Sequence, residues 1–233
     1  MTSEATRIVL ASPHPRYDAL EAALREVHGF DVLRLRQREA LNVEALAAIQ
    51  ARWVFLPHWF WLVPPSVHEG FECVISHVTD LPFGRGGSPL RNLVVRGLSE
   101  TRLSAIRCEA TLDAGPVYCK RPLSLAGTAE QIFARAARLM EGMIVEIGRD
   151  LRTPLPQVGE PTLFTRRKPR DSDICALDDL SRRYDHIRML DAGGYPKAFL
   201  RVGALSLEFS EAEHEGEQIR ALVRIRLATG ETG

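Results

Sequence analysis

His77 and Asp113 are the two residues whose types and positions are best suited to moving a proton. His77 closes an apolar run, residues 74–77, and a glycine-rich stretch follows it. An imidazole titrates near neutral pH, and a neighbouring carboxylate can orient or charge it. Taken alone, a histidine here is more often a packed ring bonded to the backbone, and an aspartate close before a glycine is an ordinary turn residue. The surrounding elements must therefore decide between these interpretations.

Alternating strand and helix patterns predict an α/β fold around His77. β-branched and apolar runs predict strands, and apolar positions at helical spacing predict helices between them. The predicted strands are 7–12, 31–36, 52–57 and 73–77, and the predicted helices are 18–29, 42–51 and 89–97. Such alternation indicates parallel strands with right-handed crossovers in a Rossmann-like, open, mostly parallel sheet. Ligands bind such sheets at the carboxyl ends of strands, where His77 lies.

The second half of the chain predicts further elements and a division into domains. Residues 103–125 are typical of two strands joined through a turn at 112–116, and 128–151 are typical of a long amphipathic helix capped by Thr128 with Gln131. We expect a catalytic domain at 1–153 and a proline-punctuated connector at 154–173. A small C-terminal α+β subdomain, one helix and three strands, is expected at 174–233.

Composition narrows the possible partners and location. Lysine plus arginine total 30 and aspartate plus glutamate total 30, so the chain has no overall positive field for a polyanion, which disfavours a nucleic-acid partner. The four cysteines show no metal-binding spacing, so no metal is expected. No signal-peptide pattern opens the sequence, and the longest apolar run, residues 54–65, is too short to span a bilayer. We therefore expect a cytoplasmic protein with reduced thiols and no membrane partner.

A spaced set of residues changes the interpretation of His77. His77 is followed by Pro82, Arg85-Gly86 and Pro89, and later by the turn Asp113-x-Gly115-Pro. This constellation resembles the catalytic domain of the formyltetrahydrofolate-dependent formyltransferases, which include methionyl-tRNA, glycinamide ribonucleotide and sugar-nucleotide members. The resemblance covers most of the chain. It implies the formyltransferase fold and transfer of a formyl group from 10-formyltetrahydrofolate, as co-substrate, to a primary amine.

The resemblance also implies roles for individual residues. His77 and Asp113 match the catalytic pair of the family. The folate slot is expected to involve a set of residues from three loops: Phe60, Trp61, Leu62, Arg85, Gly86, Leu112 and Asp113. Acceptor binding is expected at Thr79, Asn92 and Tyr195. Plain packing remains open for the aromatic residues of both sets, and an ordinary strand-to-helix turn remains open for the Arg85-Gly86 segment.

One position departs from the family pattern. The family has an asparagine two residues before its catalytic histidine, where it helps to hold the tetrahedral intermediate; here that position is Ile75. Side chains alternate along a strand, so Ile75 shares a face with His77 and Ser76 does not. Loss of one oxyanion donor typically costs about a hundredfold to a thousandfold in turnover. Either another donor serves, with Thr79, Asn92 or a backbone N–H as candidates, or the protein is a poor catalyst.

Three classes of function remain open from the sequence. We expect transfer to a nucleotide-linked amino sugar, a UDP-4-amino-4,6-dideoxy sugar of the pseudaminic-acid-type pathway, because residues 187–199 resemble the tail of such enzymes. The alternatives are methionyl-tRNA or another amine as acceptor, and a folate-binding relative that has lost catalysis, for which Ile75 is the best support. The tail strands also offer edges for a homodimer.

Overall fold

The computed structural model describes residues 5–150 and 153–228. Close packing groups the chain into two compact units. Of the described residues, the first contains 5–86, 101–123, 134–150 and 153–163, and the second contains 87–100, 124–133 and 164–228. The two units are defined by packing contacts, which do not show which segments fold independently. The predicted domain boundaries at 153 and 173 therefore stay a prediction.

Most helices and strands occur where the sequence patterns predict them, with different ends, but the short strands at 83–86 and 162–164 were not predicted. In chain order they are β1 (Arg7–Ala11), α1 (Asp18–Glu26), β2 (Asp31–Leu35), α2 (Val43–Ala48), β3 (Trp53–Pro57), α3 (Pro65–Gly70), β4 (Cys73–His77), β5 (Phe83–Gly86), α4 (Pro89–Val94), β6 (Glu100–Arg107), β7 (Val117–Ser124), α5 (Ala129–Arg149), β8 (Thr162–Phe164), α6 (Leu180–Arg188), β9 (Ala198–Val202), β10 (Leu205–Glu215) and β11 (Gln218–Leu227).

A six-stranded sheet is built in the order β2-β1-β3-β4-β6-β7. The first four strands are mutually parallel, and β6 pairs with β4 in the antiparallel direction. The predicted open, mostly parallel sheet is confirmed. Because β1, β3 and β4 are parallel neighbours, the loops that follow them leave from one edge, and His77 is the last residue of β4 at that edge.

An apolar cluster packs against this sheet in the first unit. It includes Val9, Val54 and Leu56 from the central strands, Leu46 from α2, and the two cysteines Cys73 and Cys108. The central strands are almost entirely apolar because parallel strands are covered on both faces. Burial of this set fixes the strands, and the loops at their carboxyl ends are therefore carried by a rigid support.

The short strand β5 was not predicted, because residues 83–86 were interpreted as a glycine loop. Gly84 and Gly86 have φ values of 79° and 103°, a left-handed region that residues with a Cβ rarely adopt. Strand propensity is low for glycine, so the sequence favours a loop here. Pairing of β5 with β8 nevertheless holds the segment extended.

The second unit contains the predicted α+β appendage. Its antiparallel sheet has the order β11-β10-β9, and α6 precedes these strands in the chain. The predicted cap of α5 is confirmed: Thr128 N donates to Gln131 Oε1 at 3.0 Å, and Gln131 N donates to Thr128 Oγ1 at 3.3 Å. Among the helices of residues 5–150 and 153–228, none is both long enough and apolar enough to cross a bilayer.

Candidate active site

His77 is buried at the end of β4, and β5 holds its ring. Its Nε2 lies 2.8 Å from the carbonyl oxygen of Gly84. A carbonyl oxygen can only accept, so Nε2 must carry the hydrogen and donate it. In the neutral ring Nδ1 is then the unprotonated nitrogen. The backbone of Gly84 thereby selects the tautomer in which Nδ1 is available as a base.

Asp113 lies on the loop between β6 and β7, and its backbone and side chain are both fixed in position. Its φ is 53°, an uncommon conformation that aspartate tolerates better than most residues. Its Oδ2 accepts a hydrogen bond from the backbone N–H of Gly86 at 2.9 Å. A Cβ on Gly115, two residues later, would lie 1.9 Å from the carbonyl oxygen of Arg107, so only glycine fits there. The turn geometry therefore fixes the carboxylate.

The two side chains face each other with a gap between them. His77 Nδ1 lies 3.6 Å from Asp113 Oδ1, and the two residues are only 7% and 8% exposed. This distance is too long for a direct hydrogen bond. Two acceptor atoms this far apart can both accept from one nitrogen that carries two hydrogens. The site is therefore suited to receive an amine or ammonium group and to remove a proton from it.

Thr79 and Arg85 lie around this pair in the first unit. The Thr79 hydroxyl donates to the same Gly84 oxygen at 3.4 Å, and the Thr79 carbonyl accepts from Ser104 Oγ at 2.7 Å. Arg85 donates through Nε and Nη2 to Gln157 Oε1, at 3.1 and 2.8 Å. Gln157 was not predicted as a site residue, because a single glutamine between prolines carries no periodic or motif signal.

The residues predicted for the folate slot are largely accessible apolar side chains of the first unit. Phe60 is 53% exposed, Leu62 is 79% exposed and Leu112 is 58% exposed. Trp61 packs against its neighbours, with ring centroids 4.3 Å from Phe60 and 4.8 Å from Trp59. Exposed apolar groups are suited to contact a largely apolar ligand. Their role in folate binding stays a prediction.

Asn92 and Tyr195 belong to the second unit. The Asn92 amide nitrogen donates to the carbonyl oxygens of Gly87, Ser88 and Thr165 at distances of 3.0, 3.2 and 2.9 Å. Its two hydrogens are therefore committed, and contact with an acceptor would require these bonds to break. The Tyr195 ring lies 5.7 Å from the ring of Phe133. Neither contact tests the predicted acceptor binding.

Ile75, the departure from the family pattern, packs against the apolar cluster of the first unit. It pairs along the sheet with Leu56 and Ile106. Its side chain offers no hydrogen to an oxyanion. The proposed substitutes Thr79 and Asn92 direct their hydrogens at backbone carbonyls in this state.

Burial shapes the chemistry of the thiols near the site. Burial, together with the nearby Asp113 carboxylate, raises the pKa of Cys108 to about 11. Burial and the neighbouring Cys108 raise the pKa of Cys73 to about 12. Both thiols therefore stay protonated at neutral pH and are poor nucleophiles. The part of the chain that the structure describes contains no group of three or more histidine, cysteine, aspartate or glutamate side chains arranged to hold a metal ion.

Comparison with known proteins finds a solved structure that matches nearly the whole chain. The solved structure of methionyl-tRNA formyltransferase from Clostridium thermocellum is 39% identical, with a TM-score of 0.92, and the match covers 96% of this chain and 100% of that one. A family model described as the methionyl-tRNA formyltransferase C-terminal domain matches residues 169–226. The methionyl-tRNA formyltransferase of Gluconobacter oxydans is 27% identical over 161 residues, which are 67% of this chain but 52% of that protein.

Two more distant structures share the fold. HypX from Aquifex aeolicus, solved in complex with tetrahydrofolic acid, is 17% identical with a TM-score of 0.76, over 92% of this chain and 39% of that one. A sugar N-formyltransferase from Shewanella sp FDAARGOS_354 is 13% identical with a TM-score of 0.66, over 86% of this chain and 94% of that one. At these identities the likeness concerns the fold alone.

Proposed function

Because the chain belongs to the formyltransferase family, we propose that it transfers a formyl group from 10-formyltetrahydrofolate to a primary amine. The observation that carries the proposal is the gap of 3.6 Å between His77 Nδ1 and Asp113 Oδ1. Both atoms are able to accept hydrogen bonds, and both side chains are shielded from water. An amine nitrogen that lies beside the pair and donates to both atoms is oriented and has a base for its proton, which are two requirements for attack on a carbonyl.

The proposed reaction begins with the acceptor nitrogen donating to both side chains. The lone pair of the neutral amine forms a C–N bond to the formyl carbon while the carbonyl π electrons move to oxygen. Nδ1 of His77 takes the proton that the nitrogen gives up as this bond forms, and the Asp113 carboxylate stabilises the imidazolium that results. Collapse of this intermediate re-forms the carbonyl and breaks the bond to N10 of the folate. His77 then returns its proton to N10, which balances the step.

The donor is proposed on two grounds. The family is named for formyl transfer, and a relative with the same fold is solved with tetrahydrofolic acid. The exposed side chains of Phe60, Leu62 and Leu112 provide apolar surface in the unit that carries His77 and Asp113. A reduced pterin with an aminobenzoyl group is largely flat and apolar, so it suits such a surface.

For the acceptor, we place methionyl-tRNA first. The Clostridium thermocellum structure, whose match covers 96% of this chain, bears that name, and the model for the C-terminal domain of such enzymes matches residues 169–226. The curated relatives are longer, since the chain covers 52% of the Gluconobacter oxydans protein. The support for methionyl-tRNA as the acceptor is therefore similarity to these proteins.

A nucleotide-linked amino sugar, including a UDP-linked sugar of the pseudaminic-acid type, is the second candidate. The formal net charge is zero, which gives little long-range attraction for a nucleic acid. On the C-terminal sheet Arg220 pairs with Glu213 at 2.9 Å and with Glu215, and Arg226 pairs with Glu208. These arginines are neutralised within the sheet, which favours a small acceptor over a polyanion.

Mass spectrometry of reaction products tests both the formyl transfer and the class of acceptor. The protein is incubated with 10-formyltetrahydrofolate and, separately, methionyl-tRNA, UDP-linked amino sugars and dTDP-linked amino sugars. A gain of one formyl mass on any amine supports formyl transfer, and the substrate that gains it with the higher kcat/KM identifies the acceptor class. Absence of product from every amine, with folate binding intact, contradicts formyl transfer and supports the non-catalytic relative.

A further inference from the structure

Gln157 is fixed in the first unit by the segment that precedes it. Leu155 and Val117 exchange two backbone hydrogen bonds, with N···O distances of 2.9 and 2.7 Å. This antiparallel bridge attaches residues 155–157 to the start of β7. The glutamine thus extends from an anchored backbone, although the sequence places it in a connector.

The side chain of Gln157 uses its full hydrogen-bonding capacity on the loops of the catalytic pair. Its Nε2 donates to the carbonyl oxygens of Asp113 at 2.9 Å and Gly115 at 2.8 Å. Its Oε1 accepts both hydrogen bonds from Arg85. A side-chain amide that makes four hydrogen bonds is restricted to one orientation, so it holds Arg85 and the Asp113 loop at fixed positions.

These hydrogen bonds link β5 to the loop that carries Asp113, between β6 and β7. Gly86 N donates to the Asp113 carboxylate, and the adjacent Arg85 reaches the Asp113 carbonyl through Gln157. The strand and the loop are therefore joined at two points of Asp113, its carboxylate and its backbone carbonyl. With only one joint the carboxylate could swing about the Gly86 bond, whereas two joints hold its distance from His77.

We propose that Gln157 is a positioning residue that sets the distance between His77 Nδ1 and Asp113 Oδ1. The proposal rests on the proposed function, since the pair it positions is the one assigned to proton removal. Gln157 touches neither the imidazole nor the carboxylate oxygens. It acts through the backbone of Asp113, whose left-handed conformation needs an external hold.

Nuclear magnetic resonance of the His77 ring nitrogens tests this without any acceptor. Asp113→Asn defines the Nδ1 chemical shift when the carboxylate is lost. Gln157→Met keeps the side-chain length and removes all four bonds, and Gln157→Glu keeps an oxygen for Arg85 but removes both donors. We expect both Gln157 variants to move the Nδ1 resonance toward its position in Asp113→Asn. Gln37→Ala, an exposed glutamine without a capping bond, is expected to leave it unchanged.

Kinetics gives the second readout. Misplacement of a reacting group by about 1 Å can cost a hundredfold, so kcat in Gln157→Glu should fall about tenfold to a hundredfold. The KM for the formyl donor should change much less, because Gln157→Glu retains an acceptor for Arg85 and leaves Phe60 and Leu62 unchanged. An Nδ1 resonance at the wild-type position in both variants overturns the inference. If the wild-type enzyme forms no product, the proposed function fails, and the resonance alone decides the role of Gln157. If Gln157→Met does not fold, Gln157→Glu decides.

Discussion

At the scale of single residues, three consecutive residues of β5 organise the catalytic pair. The backbone of Gly84 accepts from His77 and the backbone of Gly86 donates to Asp113, whereas Arg85 binds Gln157 through its guanidinium group. Backbone groups have no rotamers to lose, so they hold their partners at little entropic cost. The sequence shows this strand only as two glycines around an arginine, and the glycines are what allow its backbone to turn toward the site.

Replacement of Gly115 tests whether the aspartate loop positions the carboxylate. In Gly115→Ala the new methyl group would overlap the Arg107 carbonyl oxygen, so the loop must move. We expect a loss of about 1–3 kcal/mol in the free energy of unfolding, typical of overpacking. Turnover should fall at least tenfold because Asp113 moves with the loop. Urea unfolding and initial rates measure the two effects.

Gly70→Ala is the matched control for that substitution. A Cβ at Gly70 would meet no atom within 4 Å. Stability and turnover should both stay close to wild type. Equal effects of the two substitutions would show that the loss is general to glycine replacement and that the aspartate loop tolerates movement.

At the scale of elements, the long helix α5 is predictable from its local sequence and the short strand β5 is not. α5 has a clear helical period and a capping box, and its cap forms as predicted. β5 has neither period nor propensity and exists because β8 pairs with it. A pairing partner about eighty residues away leaves no local trace, so no local pattern could reveal the strand.

Gly142 offers a stability test of α5. It is an exposed residue in the interior of the helix, and an added Cβ would meet nothing within 4 Å. Gly142→Ala should raise the free energy of unfolding by about 0.5–1 kcal/mol, since glycine is a poor helix former. Thermal and urea unfolding measure the gain.

Gly148→Ala in the same helix is the comparison. Its Cβ would lie 2.9 Å from the Phe30 ring, which must shift. The gain in helix propensity should therefore be smaller or reversed at that position. A destabilised Gly142→Ala would contradict the helix as described.

At the scale of the whole molecule, the sequence predicted the sheet, its carboxyl edge and the pair His77 and Asp113 as candidates. The parallel strands follow from apolar runs, which are local signals. The mutual approach of His77 and Asp113 came from family resemblance, and the structure supplies its distance. Gln157 could not be predicted, because its role depends on contacts with residues 42 to 72 positions earlier. The predicted homodimer stays a prediction.

The cysteines provide a test of packing throughout the chain. Cys73 and Cys108 are buried with raised pKa values, so at pH 8 both remain thiols, and the thiolate appears only as the pH approaches about 12 and 11. Cys175 is exposed. Iodoacetamide should modify Cys175 in the native protein and the buried Cys73, Cys108 and Cys119 only after denaturation, as mass spectrometry of tryptic peptides will show. Native labelling of Cys108 at the rate of Cys175 would contradict the packing.

The most direct test of the account is the rate of formyl transfer by wild type, His77→Ala and Asp113→Asn at saturating 10-formyltetrahydrofolate, with the acceptor that gives product. We predict a loss of at least about a hundredfold in kcat for each variant, which is the usual contribution of a general base. Circular dichroism should show that both variants stay folded. A wild-type rate in folded His77→Ala would contradict the assignment of His77 Nδ1 as the group that removes the proton.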